Sequence, residues 1–295
     1  MEKKTVGGQA VIEGVMMKSS LGWAVAVRNP KGEIILKSEE FKGQNRLNKI
    51  PVIRGFFILL ETLWLGMKAI DFSSKIVFEE EKSSPLSLLL SLGLAFLIGT
   101  FLFILVPLYI TKVSASFVSL ISDSSLVFNI VDGVLRVLIF IGYVFAISLW
   151  PQMGRIFAYH GAEHKTINAY ESGEALIPER IANYPRLHVR CGTSFIFIVL
   201  TVSILVFSLI PSSWSFTLKA ISRIVLLPLI AGFSYEILKL SDRWKNNILG
   251  RFIILPGLLF QKITTKEPDI KQIEVACEAL RTVLKFSKRE EKIND

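Results

Sequence analysis

Two of the three histidines in this 295-residue chain, His160 and His164, stand four residues apart with Glu163 between them. On a helix that spacing stacks the imidazoles one turn apart on one face, with the carboxylate alongside. Glu171 returns to nearly the same angle three turns later. The order H-x-x-E-H is a reversed zincin pattern, in which histidines hold a metal and the glutamate takes a proton from water. The third histidine, His188, follows in the same polar segment, three residues before Cys191. Imidazole, thiolate and carboxylate are the donors zinc prefers. The expected metal ligands are therefore His160 and His164, with His188, Cys191 or Glu171 as the third. Glu163 is the expected general base, and a divalent metal, zinc first, the expected cofactor.

Each residue also has a plainer reading. Without metal, the histidines would bond backbone carbonyls or pair with Glu163 and Glu171, and Glu163 would be a solvated carboxylate near Lys165. Cys191 can act as a ligand or as a nucleophile beside His188. Cys277 falls in the apolar stripe of a C-terminal helix and reads as packing. Glu13, between glycines in an apolar run, either completes the site or binds backbone amides at a bend. Asp132 and Arg136, one helical turn apart inside an apolar stretch, form an expected buried pair and leave a transport role open.

The elements that must position these residues are mostly apolar. At 51% hydrophobic residues and a mean hydropathy of +0.50, the chain is too apolar for an ordinary soluble domain. Residues 86–111 and 194–214 carry no charge; 126–150 carry only Asp132 and Arg136, and 217–238 only Lys219, Arg223 and Glu236. Each run approaches or exceeds the roughly 20 residues that cross a bilayer, so four transmembrane helices are expected. The opening Met-Glu-Lys-Lys has no apolar core, so the first span is expected to direct insertion. Lysine and arginine crowd residues 1–85, 151–193 and 239–295 but are almost absent from the other two connections. That bias places both termini and the His/Glu segment in the cytoplasm. The net charge of +9 then matches a bilayer with anionic headgroups, and no aromatic-basic motif supports nucleic-acid binding.

The expected organisation is a cytoplasmic β unit (1–48), an interfacial helix and linker (49–84), spans one and two (85–150), the cytoplasmic His/Glu segment (151–193), spans three and four (194–238) and a cytoplasmic helical region (239–295). Residues 22–28 and 33–38 flank Asn29-Pro30-Lys31-Gly32 as a hairpin, and residues 7–17 add one strand. Residues 51–72 carry Arg54, Glu61 and Lys68 seven apart, a polar stripe suited to a helix lying in the interface. Residues 248–260 contain Pro256-Gly257 and are too short to span. Asp269 caps a helix with Ile270, Ile273, Cys277, Leu280 and Leu284 on its apolar stripe, and a disordered charged tail is expected from Lys288.

Gly-Gly-Gln-Ala-Val-Ile-Glu-Gly-Val-Met-Met (7–17), Tyr-His-Gly-Ala-Glu-His-Lys-Thr (159–166), Arg-Cys-Gly-Thr-Ser-Phe (190–195) and Lys-Glu-Pro-Asp (266–269) together resemble the YqhQ-like family of bacterial membrane proteins. Members often show His-Pro-Arg-Cys where this chain has His188-Val189-Arg190-Cys191. The resemblance implies a bacterial cytoplasmic-membrane location and carries the general label of a metal-dependent enzyme. Together with the residues above, the expected function is a membrane-bound hydrolase at the cytoplasmic face, acting on a lipid headgroup, a peptide or a soluble metabolite. A scaffold or assembly factor with a structural metal, or a solute or ion transporter, are the alternatives.

Overall fold

The computed structural model describes residues 5–41, 50–79, 85–211, 213–244 and 247–294. The opening Met-Glu-Lys-Lys and the linkers at 42–49 and 80–84 lie outside these residues. Four strands, β1 (Gly7–Val11), β2 (Gly14–Lys18), β3 (Gly22–Arg28) and β4 (Ile34–Glu40), form an antiparallel sheet in sequential order. The expected hairpin is β3–β4, closed by Gly32 at φ 89°. The single strand expected over 7–17 is instead a second hairpin, β1–β2, turning at Ile12-Glu13. Glu13 adopts φ 49° there. A glutamate in that conformation carries no turn signal, because glycine or asparagine normally marks it.

The helices follow in order: α1 (Ile53–Phe78), α2 (Pro85–Thr100), a π-helical turn (Phe101–Leu105), α3 (Val106–Ala115), α4 (Ser119–Asp123), α5 (Ser125–Ser148), α6 (Pro151–Ser172), α7 (Pro178–Ile181), α8 (Gly192–Ser208), α9 (Phe216–Val225), α10 (Leu227–Arg243), α11 (Ile248–Thr264) and α12 (Ile270–Asn294). Two continuous helical stretches, Leu89–Ala115 with 27 residues and Ser125–Ser148 with 24, are long and apolar enough to cross a membrane. At 1.5 Å per residue they reach about 40 and 36 Å. A third is available if α9 and α10, bent by 46° at Leu226, count as one. Pro228 in the first turn of α10 disfavours a straight continuation, since its ring collides with the preceding turn. Thus two or three helices meet the length and composition of a span among the described residues. The remaining apolar run is the 17-residue α8.

The sheet lies between two helical layers. Val15, Met17, Ala24 and Ala26 pack with Tyr159 and Ala162 of α6 and Ile273, Cys277 and Leu280 of α12. Met16, Trp23, Val25 and Val27 pack on the other face against Leu65 and Ala69 of α1. Burial on both faces explains why β2 and β3 read as continuous apolar runs rather than alternating ones. The charged stripe of α1 makes ion pairs with neighbouring elements. Arg54 pairs with Glu236 on α10, Glu61 with Lys18 on β2 at 3.3 Å, and Lys68 with Glu39 on β4 at 3.8 Å. Ile53, Phe57, Leu60 and Trp64 recur on an outward apolar stripe of the same helix. So α1 joins the sheet to α10 while presenting a second, apolar face outward.

α11 extends beyond the segment expected from sequence and carries Pro256 within it. Asp269 does cap α12, its Oδ1 accepting from the Gln272 amide at 2.7 Å. The helix runs on to Asn294, where a disordered tail was expected.

Candidate metal centre

Helix α6 leaves Pro151 at its first position and stops at Gly173, whose φ of 86° closes the C-terminus. Its middle is buried on nearly every side, because α12, the sheet and the 173–191 segment surround it. His160 and His164 meet edge to face, with ring centroids 4.4 Å apart. Each ring is held through Nδ1: His160 meets the Thr264 carbonyl at 2.8 Å and His164 the Arg186 carbonyl at 2.7 Å. These contacts set the tautomer with a proton on Nδ1 and turn the Nε2 lone pairs the other way, the outer-shell pattern of metal-binding histidines. His160 Nε2 then lies 3.2 Å from Cys191 Sγ.

Cys191 caps α8, with Sγ accepting from the Thr193 amide at 3.4 Å and meeting the Thr193 hydroxyl at 3.1 Å. The donor atoms of His160, His164 and Cys191 all lie within 4.8 Å of one another. In a tetrahedral zinc site, bonds of 2.0–2.3 Å would set such donors roughly 3.3–3.7 Å apart. The three side chains could thus hold an ion as an N,N,S donor set after a small inward adjustment. Burial holds the His164 imidazole below its usual range, favouring the neutral form.

Glu163 borders this set, its Oε2 3.6 Å from His164 Nε2. Burial pushes its carboxyl up, against the opposing influence of His160, His188 and a hydrogen bond donated by the Gly8 amide. Strand β1 comes this close because Gly8 lacks a side chain. A Cβ there would sit 2.7 Å from Glu163 Cγ and 2.9 Å from the Met16 carbonyl.

The other sequence candidates are placed elsewhere. His188 is buried one layer out, its ring 5.7 Å from that of His164. Its Nδ1 accepts from the Arg190 amide at 3.4 Å and its Nε2 lies 3.5 Å from Glu171. Glu171 also pairs with Arg190. Neither joins the three-donor group. Glu13 neither completes the site nor binds backbone amides in any hydrogen bond described: it pairs with Arg155 and accepts from the Tyr159 hydroxyl at 3.2 Å. Asp132 and Arg136 do pair, at 2.9 Å, but in α5. Burial pushes the Cys277 thiol up to about 12, as fits a packing residue.

Sequence reasoning missed the supports. Gln261 on α11 is fully buried and clamps His188 from both sides, accepting from its amide and donating to its carbonyl at 2.9 Å each, and also donates to Ser194 Oγ at 3.0 Å. A lone glutamine in an apolar helix was the available signal. The Lys-Glu-Pro-Asp segment lies along α6. Lys266 donates its amide to the Phe157 carbonyl at 2.8 Å, and Glu267 pairs with the buried Lys165, whose Nζ also reaches the Ala182 carbonyl at 2.7 Å.

Residues 50–286 match the family model described as "Protein of unknown function (DUF1385)". The chain is also similar to the "Uncharacterized protein YqhQ" of Bacillus subtilis (strain 168), with 35% identity over 300 residues, covering 95% of this chain and 92% of that protein. No solved structure matches.

Proposed function

The chain belongs to the DUF1385 family, and from that premise we propose that it is a membrane-bound metalloprotein whose centre works as a hydrolase at the cytoplasmic face of the bacterial cytoplasmic membrane. The observation that carries this reading is the convergence of two Nδ1-anchored histidines and a helix-capping cysteine, with a buried carboxylate at 3.6 Å. His160, His164 and Cys191 would hold a divalent ion, with zinc favoured by the nitrogen and sulfur donors. When bound, such an ion supplies Lewis-acid polarisation. Glu163 would take and return a proton beside these ligands, while the Thr264 and Arg186 carbonyls keep both imidazoles oriented. We assign α8 and the α9–α10 pair to the bilayer beside the two longer helices, giving four spans with both termini cytoplasmic. The substrate class stays open between a lipid headgroup, a peptide and a soluble metabolite.

A second reading rests on the same distance. If Glu163 itself closes the fourth position, the centre is a structural site in a scaffold or assembly factor, since closed four-coordinate zinc is structural and an open position catalytic. Elemental analysis of the purified protein beside a His160→Ala/His164→Ala variant tests both readings. About one transition metal per chain is expected, lost in the folded variant. A Glu163→Gln variant that keeps the metal but loses the cellular phenotype supports proton transfer by the carboxylate; one that loses the metal makes Glu163 a ligand. Absence of metal after supplementation refutes the metalloprotein.

A further inference from the structure

At the other end of the apolar helices, α5, α8 and α9 enclose a second polar cluster. Asp132 Oδ2 accepts from Arg136 and Oδ1 from Arg223, each at 2.9 Å. Arg223 also donates to Asn129 Oδ1 at 3.0 Å and Arg136 to Ser203 Oγ at 3.2 Å. Both guanidiniums lie over the Phe207 ring, 5.0 and 5.3 Å from its centroid. Asp132, Arg136 and Arg223 are 1%, 4% and 1% exposed. One carboxylate thus serves two guanidiniums, and their other acceptors are neutral. The Nε atoms of both arginines are buried without a hydrogen-bond partner. An uncompensated cation among apolar helices is costly, and the cost is met by a counter-charge.

Further positive charge leads outward from this cluster. Phe216, Lys219 and Arg223 recur along one face of α9. Lys219 is buried with Nζ 4.0 Å from the Phe128 centroid, and exposed Lys112 on α3 has Nζ 5.5 Å from that of Phe216. Across α3, α4, α5, α8 and α9 the acids are Asp132 and the exposed Asp123, which accepts from the Ser122 hydroxyl at 2.8 Å. Against these two stand Lys112, Arg136, Lys219 and Arg223. Lys112 lies three residues before the end of the Leu89–Ala115 stretch, the depth at which headgroup phosphates meet a spanning helix. The opposite face of α9 exposes Leu218, Ile221, Ile224 and Val225, so its apolar side faces outward while its cations point inward.

We propose that this junction binds a phosphate-class oxyanion, supplied as the phosphodiester headgroup of an anionic lipid, with Lys112 at the rim and Lys219 and Arg223 within. Guanidinium and ammonium donors suit tetrahedral oxyanions through charge-assisted bonds. The site rests on the reading that these helices lie in a bilayer and is independent of the metal centre.

The full-length protein in neutral detergent is titrated with phosphatidylglycerol, with phosphatidylcholine and with inorganic phosphate while its thermal unfolding is followed. Phosphatidylglycerol is expected to raise the Tm saturably and phosphatidylcholine to leave it unchanged. Lys112→Gln, altered at the exposed rim, keeps the lipid-free Tm but weakens the apparent affinity about tenfold or more. Arg223→Gln abolishes the response. A saturable response to inorganic phosphate that the same variants lose supports the oxyanion site with an aqueous source. No response to either anion overturns the proposal, as does a phosphatidylglycerol response that survives in both variants.

Discussion

His164 shows how a single buried side chain ties the proposed centre to stability. Its ring is buried, its Nδ1 is bound to the Arg186 carbonyl, and burial lowers its pKa from the ordinary 6.5. The unfolded chain therefore takes up a proton near pH 6.5 that the folded chain resists. Whenever the unfolded state binds more protons, stability rises with pH. The stability of metal-free protein is thus fully present above about pH 6.5 and is lost as pH falls toward the lower folded value. The expected slope is up to about 1.4 kcal/mol per pH unit. Chemical unfolding of chelator-treated protein between pH 7.5 and 5.5 measures it, and His164→Gln should flatten the profile. An equal slope in the variant would assign the effect elsewhere. At this scale the H-x-x-E-H order was enough to find the helix-borne pair. It could not choose among His188, Cys191 and Glu171, because separation along a chain carries no geometry once it passes through a loop. Of the three, Cys191 is the one brought into the cluster, because the N-cap of α8 sets it beside His160.

Elements meet the site through close backbone approaches that hydropathy does not record. The Lys266–Asp269 segment lies against α6 at Gly161, where an added Cβ would run into the Lys266 carbonyl and come within 3.3 Å of Pro268 Cδ. A carbonyl held by its own backbone neighbours cannot swing aside as a flexible side chain can. Gly161→Ala is therefore expected to destabilise the protein by about 1–3 kcal/mol through overpacking, despite alanine's better helix propensity. Gly93→Ala in α2, where nothing lies within 4 Å of the added atom, should be neutral or stabilising by up to about 1 kcal/mol. Melting temperatures of the two variants check the contrast, and a neutral Gly161→Ala would show that the seam is looser than described. The helices were legible because apolar runs and the Asp269 cap are local signals. The β1–β2 hairpin was not, because Glu13 occupies a turn position without glycine's signature. Nor was the role of α1: the seven-residue spacing of Arg54, Glu61 and Lys68 told that they share a face, but not that α10 and the sheet lie opposite it.

The whole molecule joins a sheet packed between α1 and the α6–α12 layer to a set of apolar helices, with the His/Cys cluster at the junction. Cys191 opens α8, and His160 lies one turn beyond Pro151-to-Phe157, the stretch of α6 that leads directly out of the end of α5. If Ser125–Ser148 crosses the bilayer, the α3–α5 connection and the His/Cys cluster lie on opposite sides of it. In the proposed topology the positive-inside bias puts the centre inside, with Asn29, in the β3–β4 turn, on the same side. Single cysteines at Ser116 and Asn29, both on exposed or half-exposed turns, test this against a background in which Cys191 and Cys277 are buried. In intact cells a membrane-impermeant maleimide is expected to label Ser116→Cys, whereas Asn29→Cys reacts only after lysis. Labelling of both in intact cells, or of Asn29→Cys alone, would invert or dissolve the topology. An inverted topology would move the metal centre to the outer face and bring the Lys112–Arg223 strip to the inner leaflet, so this result decides which leaflet supplies the anion and which compartment supplies the metal.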